Sequence, residues 1–175
     1  GDRFEIGALS ASGAMGAVYR AFDRATSCHV ALKVLLGADP AIADRFEREA
    51  EILAALGHPG IVRYVAHGRS DTGQLFLAME WLDGEDLAAR IARAPLSAAE
   101  ALTVSLRVAA ALGAAHARGI VHRDLKPANV FLQDGRPERA TLLDFGIALL
   151  RRDAPRATQA GFLLGTPGYM APEQV

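Results

Sequence analysis

Apolar residues in the first third of the chain fall into short runs separated by glycine-rich or polar breaks, a pattern of strands rather than helices. Phe4 to Leu9 and Gly16 to Phe22 are two such runs, flanking the turn-rich stretch Ser10-Ala11-Ser12-Gly13-Ala14. Val30-Ala31-Leu32-Lys33-Val34-Leu35-Leu36 reads as a buried strand with a single charge at its centre. A lysine there is costly unless something pairs with it. The period then changes. Asp39-Pro40 supplies an N-cap and a first-turn proline, and Ile42, Phe46, Leu53 and Leu56 follow helical spacing to about Leu56. Glu49 falls within that apolar face, while Glu47 and Glu51 lie on a more solvated side. Glu49 is therefore the acid aimed inward and the natural partner of Lys33.

Gly57-His58-Pro59-Gly60 ends the helix, and two more strands are predicted near Ile61 to Ala66 and Gln74 to Met79. Glu80-Trp81-Leu82-Asp83-Gly84 reads as a connector between two lobes, after which the chain turns helical. Ser97-Ala98-Ala99-Glu100 is a capping box, opening a helix to about Ala117 with Gly119 as its stop. Short strands are expected at Val130 to Leu132 and Thr141 to Leu143, joined by a turn containing Asp134-Gly135. From Asp144 onward the chain is rich in Gly, Pro and Arg and reads as one long loop, and loops of that length are usually functional.

Composition narrows the function classes. With 51% hydrophobic and 22% charged residues over 175 positions, the chain is ordinary globular material for about one domain. A formal net charge of -1 argues against nucleic acid or an anionic membrane surface as a partner. Cys28, the only cysteine, excludes an internal disulfide and reads as a small residue in a surface turn. No uninterrupted apolar run long enough for a bilayer and no signal-peptide pattern are apparent, so the segment is expected in the cytoplasm without membrane contact. A membrane anchor elsewhere in a longer protein is compatible with this, and the first residue, Gly1 rather than Met, suggests a piece of something longer.

One bias carries more information. Among 19 basic residues only Lys33 and Lys126 are lysine, and Asn129 is the only asparagine. In a chain depleted of both types the three survivors stand out, because lysine offers a compact, mobile ammonium and arginine a rigid planar fork, so some sites accept only one. All three fall beside acidic or glycine-rich motifs.

The glycine-rich stretch Ala11-Ser12-Gly13-Ala14-Met15-Gly16-Ala17-Val18 lies between two strands, where backbone N–H groups can approach phosphate oxygens. Alone it is a weak signal, since a glycine hairpin is common. More demanding patterns follow in His122-Arg123-Asp124-Leu125-Lys126-Pro127-Ala128-Asn129 and Asp144-Phe145-Gly146. With Ala31-Leu32-Lys33 and Ala171-Pro172-Glu173 at suitable positions, the chain resembles the protein kinase family over essentially its whole length. Lys126-Pro127 and Gly165-Thr166-Pro167-Gly168-Tyr169 favour the serine/threonine class, and the Arg/Ala-rich style is similar to the bacterial kinases related to eukaryotic ones. The one departure is Ala11 in place of the first glycine of the phosphate-covering loop.

The resemblance implies an α+β, two-lobed kinase fold. Residues 1–82 form an antiparallel-sheet N-lobe with one regulatory helix, and residues 83–175 an incomplete, mainly helical C-lobe. The hinge falls at about 80–84 and the activation segment at 144–173. It implies the cofactors ATP and Mg²⁺ and transfer of the γ-phosphate to Ser/Thr hydroxyls of protein substrates. By resemblance, Lys33, held by Glu49, binds the α- and β-phosphates; Asn129 and Asp144 hold Mg²⁺; Asp124 accepts the hydroxyl proton; and Lys126 approaches the γ-phosphate. Gly13 and Gly16 cover the phosphates. Val18, Ala31 and Phe131 sandwich adenine, Met79 is the gatekeeper, Glu80 C=O and Leu82 N–H bond the base, and Asp86 reaches the ribose. Thr158 is the expected activating phosphosite, paired with Arg123, and self-association would permit trans-autophosphorylation.

Several residues take plainer readings. His122 is expected in the core near Phe145, His58 as a helix-end hydrogen-bonder, and Trp81 as cover for apolar surface; His29, His67 and His116 have no metal spacing. Two rival functions remain, an ATP-binding scaffold without activity and a small-molecule phosphotransferase. Intact catalytic positions weigh against the first, and the segment Gly165 to Glu173, a peptide platform in protein kinases, weighs against the second. The resemblance also implies that this piece alone is weakly active or inactive, because Glu173 pairs in the family with an arginine from a later helix.

Overall fold

A computed structural model describes residues 2–13, 16–35, 46–47, 50–51, 53–122, 124–145 and 167–169. The chain divides into two compact units, Gly1–Gly57 with Arg63–Leu82, and His58–Val62 with Asp83–Val175.

The first unit is built on a five-stranded antiparallel sheet of order β1-β2-β3-β5-β4. Its strands are β1 (Phe4–Gly13), β2 (Gly16–Asp23), β3 (Cys28–Leu35), β4 (Tyr64–Arg69) and β5 (Leu75–Glu80). Ser10 to Gly13, expected as turn, are strand instead. Ala11, Ser12 and Gly13 face Val18, Ala17 and Gly16 across the ladder, so the hairpin zips to its tip. Cys28 likewise opens β3 rather than sitting in a turn, and is exposed. One sheet face carries the core cluster Ala21, Val30, Leu32, Ala66 and Ala78, covered by Phe4, Val34, Val65 and Phe76. The Phe4 and Phe76 rings meet edge-on at 5.5 Å.

The turn between β2 and β3 is held by one carboxylate. Asp23 accepts Arg3 Nε at 2.9 Å and Arg3 Nη2 at 2.8 Å, the Ala25 N–H at 3.0 Å and the Thr26 hydroxyl at 3.0 Å. Both carboxylate oxygens are thereby used, which is how a buried charge is tolerated. Of the predicted helix ending near Leu56, residues 46–47, 50–51 and 53–54 are helical. Phe46 and Leu56 are buried as its apolar pattern predicts. Ile42 and Glu49 lie outside the described residues.

The second unit contains a three-stranded sheet of β6 (Gly84–Asp86), β7 (Val130–Gln133) and β8 (Ala140–Leu142), with α1 (Leu87–Arg93) and α2 (Ala98–His116). The strand predicted from Ile61 begins three residues later, at Tyr64. Residues 60–62 bond to β8 instead: Leu142 N–H donates to Gly60 O at 2.8 Å and Val62 N–H to Leu142 O at 2.9 Å. Gly84, expected in the connector, starts β6. A side chain there would bring Cβ within 2.1 Å of the Leu132 carbonyl oxygen at φ +144°, so only glycine fits.

The Ser97–Glu100 capping box forms as predicted and opens α2. At 19 residues α2 is long and apolar enough, by length and composition, to cross a membrane, a feature the sequence reading did not expect. Its Glu100 pairs with Arg90 at 3.1 Å, Arg107 donates to the Pro59 carbonyl at 3.3 Å, and Val104, Ala111 and Ala115 are buried. These contacts tie one face of the helix into the second unit.

Candidate active site

In the first unit, strand register collects the expected nucleotide-handling side chains. Val18 of β2 lies opposite Lys33 of the central strand β3, and Lys33 opposite Leu77 of β5. Two residues along, Arg20, Ala31 and Met79 form a second row. Because alternate residues share a face, Val18, Ala31, Lys33 and Met79 lie on one side of the sheet, away from the Val30–Leu32 core. Lys33 is half-buried there and Met79 is buried. At the hairpin tip the two glycines differ. Gly16, at φ +148°, would put a Cβ 2.1 Å from the Val34 carbonyl oxygen, whereas Gly13 has open space around it.

The segment at the end of β5 is pinned. Glu80 N–H donates to Arg63 O at 2.9 Å, and Arg63 N–H returns a bond to Glu80 Oε1 at 2.8 Å. Trp81 follows, with the Arg20 guanidinium 5.2 Å from its ring centroid. Leu82 closes the unit.

In the second unit a short loop assembles four polar groups. The Asp124 carboxylate Oδ2 accepts Lys126 Nζ at 2.9 Å and Asn129 Nδ2 at 3.0 Å. Asn129 Nδ2 also donates to the Asp124 carbonyl at 2.7 Å. Both bonds leave from the amide nitrogen, which fixes the amide's orientation and leaves Oδ1 as its oxygen for a hard cation. A 3₁₀ turn, Pro127–Asn129, closes the loop, Asn129 N–H donating to Lys126 O at 2.9 Å. The Leu143 N–H then donates to the Asn129 carbonyl at 2.9 Å, which brings the neighbouring Asp144 beside this loop. Asp144 has φ +49°, a left-handed conformation that non-glycine residues adopt chiefly at constrained sites.

His122 buttresses this arrangement from the core. It is 2% exposed, its Nε2 donates to the Leu143 carbonyl at 2.9 Å, and its ring packs against Phe145, centroids 4.7 Å apart and planes tilted by 47°. Burial holds the imidazole below its ordinary pKa, as a neutral packing group. Phe131 and Asp86 are opposite one another across β6 and β7. Asp86 Oδ1 caps α1 by accepting the Ala89 N–H at 2.8 Å. Glu49, Arg123 and Thr158 lie outside the described residues, as do Thr166 and Ala171 to Glu173. Arg20 and Arg63 belong to no motif and were not anticipated; the sole hint in the sequence is that Arg20 follows Val18 at strand spacing.

A family model described as protein kinase domain matches residues 5–175. The chain belongs to the protein kinase domain family. This kinase domain is 39% identical to serine/threonine-protein kinase pkn3 of Myxococcus xanthus, over 98% of the chain and 33% of that protein. It is 43% identical to pkn2 of the same organism, over 98% of the chain and 21% of that protein. The chain thus spans about a fifth to a third of the length of these relatives. Among solved structures it is similar to the PknI kinase domain of Mycobacterium tuberculosis, with TM-score 0.75 and 39% identity over 83% of this chain and 60% of that one. Rad53 in complex with AMP-PNP matches with TM-score 0.80 and 29% identity, over 98% of this chain and 42% of that one. The kinase fold and the bacterial serine/threonine-kinase relationship expected from the motifs are both met.

Proposed function

We propose that the protein is an ATP-dependent protein kinase that transfers the γ-phosphate to serine and threonine hydroxyls of proteins in bacterial signalling. The observation that carries this reading is the Asp124 carboxylate, whose Oδ2 is held by Lys126 and Asn129. Among the described residues that leaves Oδ1 to orient a hydroxyl and accept its proton, the contribution of a positioned base. Lys126, a compact charge 2.9 Å from Asp124, serves the γ-phosphate in this reading, and Lys33 the α- and β-phosphates, with Glu49 as its partner. Val18, Ala31, Met79 and Phe131 pack the base, which the backbone of Glu80 and Leu82 hydrogen-bonds, while Asp86 serves the ribose.

The oxygen donors Asn129 Oδ1 and the Asp144 carboxylate suit Mg²⁺, and the backbone bond between Asn129 and Leu143 keeps the two residues together. Mg²⁺, when bound, neutralises charge on the phosphates. The complex of the similar Rad53 with AMP-PNP supports a nucleotide as the ligand. Self-association that lets one copy phosphorylate another belongs to the same reading, with Thr158 as acceptor and Arg123 as its partner.

The test is incubation of the full-length protein with γ-labelled ATP, Mg²⁺ and a general protein acceptor, followed by phosphoamino-acid analysis. Phosphoserine or phosphothreonine is expected. Label on a small molecule alone, or no label on any protein although ATP binds, contradicts the proposal.

A further inference from the structure

Two arginines, Arg20 on β2 and Arg63 just before β4, close on consecutive residues at the end of β5, and neither has a place in the phosphoryl-transfer machinery described above. Glu80 is gripped from β4's approach: Arg63 contributes its carbonyl and N–H to the Glu80 backbone and side chain, and its Nε lies 3.6 Å from Glu80 Oε2. Trp81 is gripped from β2 by the Arg20 guanidinium, 5.2 Å above its ring. Arg20 stands in the same cross-strand row as Ala31 and Met79, and two residues from Val18 on the same face. An attraction between guanidinium and indole is worth a few-fold in an equilibrium constant at an exposed site and more when desolvated.

We infer that Arg20 is a positioning residue for the nucleotide base: stacked on Trp81, it holds the Glu80–Leu82 backbone in the geometry that base recognition needs. The inference rests on the proposed nucleotide reading of this segment. Glu80 and Leu82 flank Trp81 on either side, so a ring free to swing would let their carbonyl and N–H drift. Phosphate handling by Lys33 lies two registers away along β3 and does not depend on this contact. Loosening the segment should therefore cost base recognition and spare phosphoryl transfer.

The experiment compares full-length wild-type protein, Arg20→Ala and Arg20→Lys by their KM for ATP, their kcat, and their preference for ATP over ITP, which differ at the base only. Arg20→Ala should raise the ATP KM about two- to fivefold, the range expected for an exposed cation–π contact, with kcat little changed. It should narrow the ATP-over-ITP preference by a similar factor, and Arg20→Lys, which keeps a cation over the ring, should restore most of both. Arg20 is exposed, so the variants are expected to fold. An unchanged ATP KM and preference in Arg20→Ala, with wild type binding ATP, overturns the positioning role alone. A parallel fall of kcat and of affinity for both nucleotides also overturns it, by showing general damage. Absence of ATP binding by wild type removes the nucleotide reading and this inference with it.

Discussion

Replacing Asp23 with Asn removes the charge on which the β2–β3 turn is built. The Arg3 guanidinium, followed by the Ala25 N–H and the Thr26 hydroxyl, holds the Asp23 carboxyl down to about 2, from an ordinary 3.8. A shift of that size corresponds to about 2.5 kcal/mol if undiminished. Asp23 is closed off by its own partners, but the turn lies at the surface and the Arg3 side chain is 42% exposed. Solvent screens such a pair, so the discounted contribution is about 1–2 kcal/mol. Because the folded carboxyl is the stronger acid, this stability is fully present above the unfolded pKa, near 3.8, and is lost as pH falls toward 2. Trp81 is the only tryptophan and belongs to the first unit, so its fluorescence follows unfolding of that unit in urea. Asp23→Asn should be less stable than wild type by about 1–2 kcal/mol at pH 7, with a gap constant to about pH 5 and shrinking below pH 4. No gap at pH 7, or one that persists undiminished at pH 3, refutes the reasoning.

Lys33→Arg should lower turnover by about 10²-fold or more with the fold retained, because a planar fork does not replace a compact ammonium on the central strand; steady-state kinetics check this. Gly16→Ala should destabilise the first unit by about 1–3 kcal/mol, since the added Cβ meets the Val34 carbonyl at 2.1 Å, whereas Gly13→Ala, with open space around it, should stay within about 0.5 kcal/mol. Urea unfolding followed at Trp81 separates the two. Thr158 is proposed as the activating acceptor, and mass spectrometry of active protein should find phosphate there; phosphate only on Thr166, or full activity without phosphate, contradicts it.

The legible parts of this protein were those in which chemistry restricts residue type. Lys33, Lys126 and Asn129 stood out as survivors of a compositional bias, and the latter two now share one carboxylate. The Ser97–Glu100 capping box was readable because it is a local device. Tertiary pairing decided what was missed. Ile61 looks like strand, yet its neighbours bond to β8 far along the chain. Gly84-Glu85-Asp86 has no strand pattern and is strand only because Phe131 to Gln133 pair with it. The left-handed Asp144 carries no signal in a single sequence, and the Arg20–Trp81 contact none beyond the strand spacing of Arg20 from Val18, because each depends on what the fold brings alongside.

The role given to Asp124 is tested most directly by one substitution read in two ways. Asp124→Asn keeps the loop's shape, since Asn129 Nδ2 still reaches the residue 124 carbonyl that it now meets at 2.7 Å. It removes the proton acceptor, worth roughly 10²–10⁴-fold in rate, together with the charge that pairs with Lys126. ATP affinity, measured by calorimetry, should stay within about twofold of wild type, while single-turnover phosphorylation of a protein acceptor falls by roughly 10²–10⁴-fold. Full-rate phosphorylation by Asp124→Asn, or loss of ATP binding in a protein that remains folded, contradicts the account.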